Sequence, residues 1–367
     1  MAMGIGSPGV GARIDRLRKV MESFRLEGLL ITGPENRRYF SGFTATDPML
    51  TESSGALLIL PGKSYLLTDS RYAVIAGIEA PGFEIVNTVG GLGHCLKGIV
   101  GDGKALAFEP NYMTVAQCRR LSEDDGLNLI ASPFDPSVLR ISKDSDEINH
   151  IVKALGITEK ALGWLFERLE PGWTEAEAAW YLDSTFRELG AQGPAFETIV
   201  ASGPQAALPH AEPGEKKIME GELVVIDCGA RYKGYASDIT RTFIKGEPAK
   251  WQRDIYRTVR EAQLKAIGAI APGVACKDVD AVARAHIAQA GHFERFGHSL
   301  GHGVGLAVHE FPSLNPVNGQ KLVEGAVVTV EPGIYLPGQG GVRLEQLVLV
   351  TADGARVLNG DTHFYDF

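Results

Sequence analysis

Apolar residues recur at helical spacing over residues 12–27, with Ile14, Leu17, Met21 and Phe24 on one side, and predict an amphipathic helix. Short apolar runs follow at Leu29–Thr32, Ala56–Leu60, Tyr65–Thr68, Phe83–Asn87, Ala105–Phe108 and Leu127–Ala131, and read as strands. Helical stretches fall near 71–78 and 114–122, so this part reads as an α/β domain with mixed strand connections. The segment SPFDPSVLRISKDSDEI (132–148) carries two prolines and then charges, and marks a junction leading into a helix. From 146 to 190 the pattern is helical, with Ile151, Leu155, Ile157, Leu162 and Leu165; residues 195–202 return to strand, and PHAEPGEK forms a loop. Then come a hairpin (224–243), helices near 250–270 and 277–290, a glycine-rich histidine segment (298–310) and a last hairpin (327–350). A helix pair followed by a hairpin occurs twice, which hints at two related half-domains. The expected organisation is a disordered or tag-like tail over 1–12, a first domain over 13–138 and a second over 139–367.

The length of 367 residues suits two domains, and 44% apolar content is ordinary for a globular chain. A net charge of −9 argues against a nucleic-acid or anionic-membrane binder. No apolar run approaches a membrane span, and MAMGIGSPGVG lacks the basic start and apolar core of a secretory signal. Cys95, Cys118, Cys228 and Cys276 form no CxxC pair, so neither a disulfide framework nor a zinc–thiolate site is expected. The default setting is reducing and cytoplasmic. Cys228 should point to the opposite face of its strand from Asp227, as a packed thiol.

Acids interrupt both hairpins. Asp227 follows VVI and Glu331 follows VVTV, in runs that otherwise read as core. Asp227 and Asp238 flank a turn near Tyr232, Lys233 and Gly234 at equal distance, and Glu331 and Glu345 flank Gly338 likewise. Each pair is expected to face across its ladder, with Cβ atoms roughly 5 Å apart. Two carboxylates about 4 Å apart repel by roughly 4 kcal/mol at an effective dielectric near 20. A shared proton or cations relieve this. Lone hairpin acids are usually solvated, but an unpaired acid in a core strand is costly. Four carboxylates and the neutral imidazole of His302, set in Gly-His-Gly where the backbone approaches closely, match two divalent ions in charge. One ion would take Asp227, Asp238 and Glu345; the other would take Asp238, His302, Glu331 and Glu345. Such a pair is a hydrolytic centre. Oxygen-rich ligation with one imidazole suits manganese, cobalt, iron or zinc over calcium. His94, His150 and His363 have no motif company and read as surface or packing residues.

The motifs ASGPQAALPHAEP (201–213), IDCGARYKGYASDITRT (226–242), HSLGHGVGLAVHE (298–310), EPGIY (331–335) and GVRLE (341–345) resemble the pita-bread metallopeptidases, which include aminopeptidase P, prolidase and methionine aminopeptidase. ENRRYFSGF (35–43) and DSRY (69–72) resemble the creatinase-type N-terminal domain of Xaa-Pro peptidases, which methionine aminopeptidases usually lack. The resemblance implies an α/β (α+β) fold: a creatinase-like α/β domain, then a pseudo-symmetric pita-bread catalytic domain. It matches Asp227, Asp238, His302, Glu331 and Glu345 to the family's ligands for two divalent metal ions, with Mn2+ or Co2+ expected and Zn2+ an alternative. It matches His210, His298 and His309 to histidines that hold substrate and assist proton transfer, Glu331 to the general base, and Tyr335 and Arg343 to a supporting network.

The implied activity is hydrolysis of the Xaa-Pro bond at the N-terminus of peptides, of the aminopeptidase P type, by a homodimer. A strict Xaa-Pro dipeptidase (prolidase) is the alternative. A metal-free creatinase-like hydrolase and an inactive peptide-binding relative are disfavoured by the intact ligand set. Two positions depart from the family. Gln346 stands where an Asp commonly follows the last glutamate, and Ser313 stands where one prolidase type has an Arg for a dipeptide carboxylate. The latter favours longer peptides, or an anchor such as Arg37, Arg38 or Arg71.

Overall fold

The computed structural model describes residues 9–47, 49–361 and 363–366. The chain forms two compact units, one ending at Arg140 and the other starting at Ile141.

In the first unit, a mixed sheet runs in the order Glu84–Asn87, Ser64–Thr68, Ala56–Ile59, Leu29–Ile31, Ala105–Phe108, Asn128–Ala131. Its central pairs are antiparallel and its outer ones parallel, as alternating strand and helix patterns imply. The opening helix spans Val10–Ser23, so it begins inside the stretch expected to be a tail. Residues 1–8 of that expected tail lie outside the described residues. Ile14, Leu17 and Met21 are buried, but Phe24 is 47% exposed, because the helix ends before it and Arg25 turns left-handed at φ 56°. Helices Pro34–Ser41 and Leu92–Val100 were not expected from periodicity. The first carries local signals instead: proline in its first turn and left-handed Gly42 at its end.

The second unit holds two helix pairs. Ser145–Arg168 starts on a capping box of Asp144 with Glu147, and Glu175–Glu188 on one of Thr174 with Glu177. The continuous helical pattern expected over 146–190 is thus two helices, parted at Pro171 and Gly172. Lys250–Gly268 and Cys276–Gln289 make the second pair. The pairs are tied down alike. Gly172 N–H donates to the Ile218 carbonyl (2.9 Å) and Ile218 N–H to that of Trp173 (2.8 Å); Gly273 donates to Leu322 (2.8 Å) and Leu322 to Val274 (2.9 Å). This repeated clasp makes the pseudo-symmetry concrete. Ile151, Leu155, Leu162 and Leu165 are buried on the first long helix, and each such side chain stabilises by roughly 1.5–3 kcal/mol relative to exposure.

Both acid-bearing hairpins break midway, and three of the acids sit in the gaps while Asp227 lies within its strand. The first comprises Leu223–Cys228 against Ile239–Ile244, then a short ribbon of Ala230–Tyr232 against Tyr235–Ala236. The second comprises Val327–Val330 against Gln346–Thr351, then Gly333–Leu336 against Gly340–Arg343. Alternate residues of Leu223–Cys228 feed separate cores: Val224, Ile226 and Cys228 enter one, and Leu223 and Val225 the other. Cys228 is therefore turned away from Asp227, as expected.

The registers differ. Val330 opposes Gln346 and Gly333 opposes Arg343, which sets Glu331 against Glu345. In the first hairpin Asp227 opposes Thr240. The expected direct opposition of Asp227 and Asp238 is corrected to a diagonal on the same face. The physical reason is the turn: Tyr232 pairs with Tyr235, so only Lys233 (φ 46°) and Gly234 (φ 84°) make the reversal, and its centre falls one residue later than the midpoint of Asp227 and Asp238.

Candidate metal centre

The site is built from hairpin gaps and one short strand. Glu331 N–H bonds to the Leu300 carbonyl (2.8 Å) and Glu345 N–H to that of Thr240 (3.1 Å), so both backbones reach outside their own hairpin. This locks the histidine segment and the first hairpin onto the second. Gly301–Gly303 carries His302 between Glu310–Leu314 and Val327–Val330. A Cβ at Gly301 would lie 2.0 Å from the Thr329 carbonyl oxygen, so the close approach there requires glycine.

Asp238, His302 and Glu345 each place a donor atom within 4.8 Å of the others. His302 Nε2 lies 3.7 Å from Asp238 Oδ2 and 3.3 Å from Glu331 Oε1. Its Nδ1 faces the Gly303 carbonyl at 3.2 Å, which leaves Nε2 aimed among the acids. Asp227 lies beside them, and its Oδ2 accepts from Arg343 at 2.7 Å.

The electrostatics follow from that crowding. Burial first, then the charges of Glu345, Asp227 and Glu331, push Asp238 well above the ordinary carboxylate range. Burial, then Glu331 and Asp227, do the same to Glu345. Glu331 moves the other way. Burial works to raise it, but the hydrogen bond and charge of His302, with His298 and Arg343, hold it down at about 2. His302 is raised in turn, against its own burial. Asp227 Oδ1 and Glu345 Oε1 are buried with no hydrogen-bond partner among the described residues. Orphaned carboxylate oxygens beside an inward-facing imidazole fit divalent cations, which would satisfy both at once.

The supporting residues form a chain. Arg343 is 3% exposed and donates to Asp227, to the Tyr335 hydroxyl (3.0 Å), to the Pro209 carbonyl (3.1 Å) and through Nε to Thr240 Oγ1 (3.1 Å). Tyr335 Oη lies 2.9 Å from His298 Nε2, and His298 Nδ1 lies 2.8 Å from the Ser299 carbonyl. A carbonyl only accepts, so Nδ1 carries the proton and Nε2 accepts from Tyr335. Burial lowers His298, so it stays neutral with both nitrogens engaged. His309 is exposed, its ring 4.2 Å from that of His302. Burial, then the neighbouring charges of His302 and His210, set against Glu331 and Asp227, lower it. His210 is exposed on the turn after Pro209, close enough to contribute to that effect. The structure thus groups all ten residues singled out in the sequence, with the four acids and His302 at the centre and Arg343, Tyr335 and His298 linked to them through Asp227.

Several participants were not anticipated. Thr240 Oγ1 donates to Glu345 Oε2 at 2.9 Å. Thr329 Oγ1 accepts from His302 N–H (3.0 Å) and donates to Glu331 Oε1 (3.2 Å). Each threonine stands two residues from an acid on a strand, so the two-residue period could have found both. Lys143 and Glu310 form a buried pair at 2.7 Å next to His309; no local pattern signals it. Among the proposed carboxylate anchors, Arg37 is excluded by its own contacts. It is fully buried and donates to Asp47 (2.8 Å), Ser54 and the carbonyls of Ala45 and Gly55. Arg71 is paired with Asp69 at 2.8 Å. Among the described residues no helix is long and apolar enough to cross a membrane.

Comparison with known proteins gives the family and the fold. The profile of Metallopeptidase family M24 matches residues 149–352, and that of the Creatinase/Prolidase N-terminal domain matches 13–132. An Xaa-Pro dipeptidase of Pyrococcus furiosus is 37% identical over 94% of this chain and 97% of its own. The structure of an Xaa-Pro dipeptidase from Bacillus anthracis superposes with a TM-score of 0.91 at 37% identity, covering 96% of this chain and 98% of the other. An X-Pro aminopeptidase from Thermotoga maritima gives 0.86 at 38% identity, with 96% and 98% covered.

Proposed function

The chain belongs to metallopeptidase family M24, and from that premise we propose that it is an Xaa-Pro dipeptidase that works through two divalent ions. The reading is carried by one observation: four carboxylates and His302 Nε2 converge in a buried site, with donor atoms of Asp238, His302 and Glu345 within 4.8 Å. Asp227, Asp238, His302, Glu331 and Glu345 would hold the ions, with Mn2+ first and Co2+ or Zn2+ next. When bound, divalent ions supply Lewis acidity that polarises a carbonyl and eases the deprotonation of water.

The chain's own residues do the rest. Glu331 is ionised and accepts the proton that leaves the attacking water. Arg343 fixes Asp227 and Tyr335 at once, and through Tyr335 it fixes the His298 ring. His298 has no nitrogen left over, so contact with the substrate carbonyl falls to exposed His309, with His210 at the rim. A bond before proline has no N–H and releases a secondary amine. A site that acts through the carbonyl loses nothing by that absence.

The dipeptidase reading takes precedence over the aminopeptidase P type expected from the motifs, because near-full-length relatives at 37% identity carry the dipeptidase name. A second reading, X-Pro aminopeptidase, is favoured by the Thermotoga neighbour and by Ser313, whose short neutral hydroxyl accepts from Asn315 at 2.9 Å. A homodimer and a cytoplasmic setting belong to the proposal, and light scattering and cell fractionation test them. The activity test is removal of metal by chelator, return of Mn2+, and assay of Xaa-Pro against Xaa-Pro-Yaa. The expected outcome is loss, recovery, and faster cleavage of the dipeptide. Preference for the tripeptide selects the second reading; full activity in the stripped protein overturns the metal mechanism.

A further inference from the structure

Arg241 lies behind the centre with its side chain fully buried. Its NH1 donates to the main-chain carbonyl of Glu345 at 2.5 Å and to that of Thr240 at 2.9 Å. A buried guanidinium in this place requires a carboxylate. The residue next to Glu345 does not supply one. Gln346 is a neutral amide, and its Oε1 accepts from Arg260 at 3.2 Å.

The carboxylate comes from Asp361, in the segment after the last strand. Its Oδ2 accepts from Arg241 Nε at 2.9 Å and its Oδ1 from NH2 at 2.5 Å, a bidentate pair with the acid side chain 3% exposed. His363 adds a longer contact at 3.4 Å. The segment is held on both sides of Asp361. Asn359 Oδ1 accepts from Leu347 N–H (2.8 Å), and Glu159 accepts from the N–H groups of Gly360 (2.9 Å) and Asp361 (3.3 Å). The Tyr365 hydroxyl bonds both the N–H and the carbonyl of Ile244 (3.0 and 3.2 Å). The Arg241 and Arg260 guanidinium groups lie over the Phe364 ring at 4.3 and 3.7 Å.

We propose that Asp361 is a positioning residue for the metal centre: it fixes Arg241, which fixes the main chain at Glu345 and so the direction of that ligand's carboxylate. Asp361 thereby takes the part left open by the amide at Gln346. The inference rests on the metal reading of the site. Its test is calorimetric titration of metal-free protein with Mn2+, compared between the parent chain and Asp361→Asn, with folding followed by circular dichroism. The expected result is a loss of about tenfold in affinity. The Asp361→Asn/Gln346→Asp double variant is expected to recover most of it, which a packing role alone would not produce. A loss under about threefold, or a double variant with no recovery, overturns the proposal. If Asp361→Asn does not fold, Asp361→Glu, which keeps the charge but displaces it by one methylene, is judged by the same threshold. Failure of the parent chain to bind Mn2+ would overturn the metal reading, and this inference with it; binding that is equal in parent and variant overturns this inference alone.

Discussion

The two hairpins do the same job with different registers. In the second, Glu331 and Glu345 face each other across a loop centred on Gly338. In the first, Asp227 faces Thr240, and Asp238 lies on the diagonal. The difference places one hydroxyl where a fifth carboxylate-like contact would crowd the site. Thr240 donates to Glu345 and accepts from Arg343, so the first hairpin offers a neutral bridge toward the charged pair of the second. Opposed acids concentrate negative charge; diagonal acids spread it. The electrostatics cut across that contrast: each hairpin supplies one acid driven high by burial and its neighbours, Asp238 from the first and Glu345 from the second, while Glu331 is held low by the hydrogen bond and charge of His302.

The largest break in the comparison would come from the opposed pair. Glu331→Gln keeps the side chain's shape and removes the ionised acceptor. Its kcat is expected to fall by at least about 100-fold, the lower end for loss of a general base. Turnover equal to that of the parent in a metal-loaded assay would remove Glu331 from that role. A milder contrast tests the two threonines. Thr240→Val removes a bridge between Glu345 and Arg343, and kcat/KM should fall by roughly 10-fold, the lower range for a buried hydrogen bond to a charged group. Thr329→Val removes a longer contact of 3.2 Å to Glu331 and should cost about half that free energy, a few-fold in rate. A larger effect at Thr329 than at Thr240 would mean that Glu331, and not Glu345, is the member of the opposed pair that depends more on its hydroxyl.

How much of this could be read beforehand depends on what each feature responds to. The faces of the acids were legible because a strand's period is fixed at two. The register of the second hairpin was legible because glycine marks its centre. The first was not, since Lys233 holds a positive φ without being glycine, and an error in the turn's centre changes the partner but keeps the face. The six strands of the first unit were legible from apolar runs, whereas Leu92–Val100 was not, for want of length. Asp361 and Arg37 were illegible for another reason. Their roles come from contacts with residues distant in sequence or buried by tertiary packing, and a lone charged residue reads as solvated until that packing is seen.

The smallest expected effect concerns the turns themselves. Gly338 adopts φ 77° with open space where a Cβ would stand, so Gly338→Ala meets no clash and isolates the cost of the backbone conformation. That cost is about 1 kcal/mol, or a fall in Tm of roughly 2–4 °C for a unit of this size. Lys233 at φ 46° already bears the same strain. Lys233→Gly relieves it but frees the unfolded chain, and the two effects nearly cancel, leaving a change within about 0.5 kcal/mol. Scanning calorimetry of both variants separates the cases. A fall for Lys233→Gly as large as that for Gly338→Ala would mean that the lysine side chain, and not the two-residue geometry, holds the first hairpin in its shifted register. The diagonal placement of Asp227 and Asp238 would then depend on a side-chain contact at the turn instead of on backbone conformation.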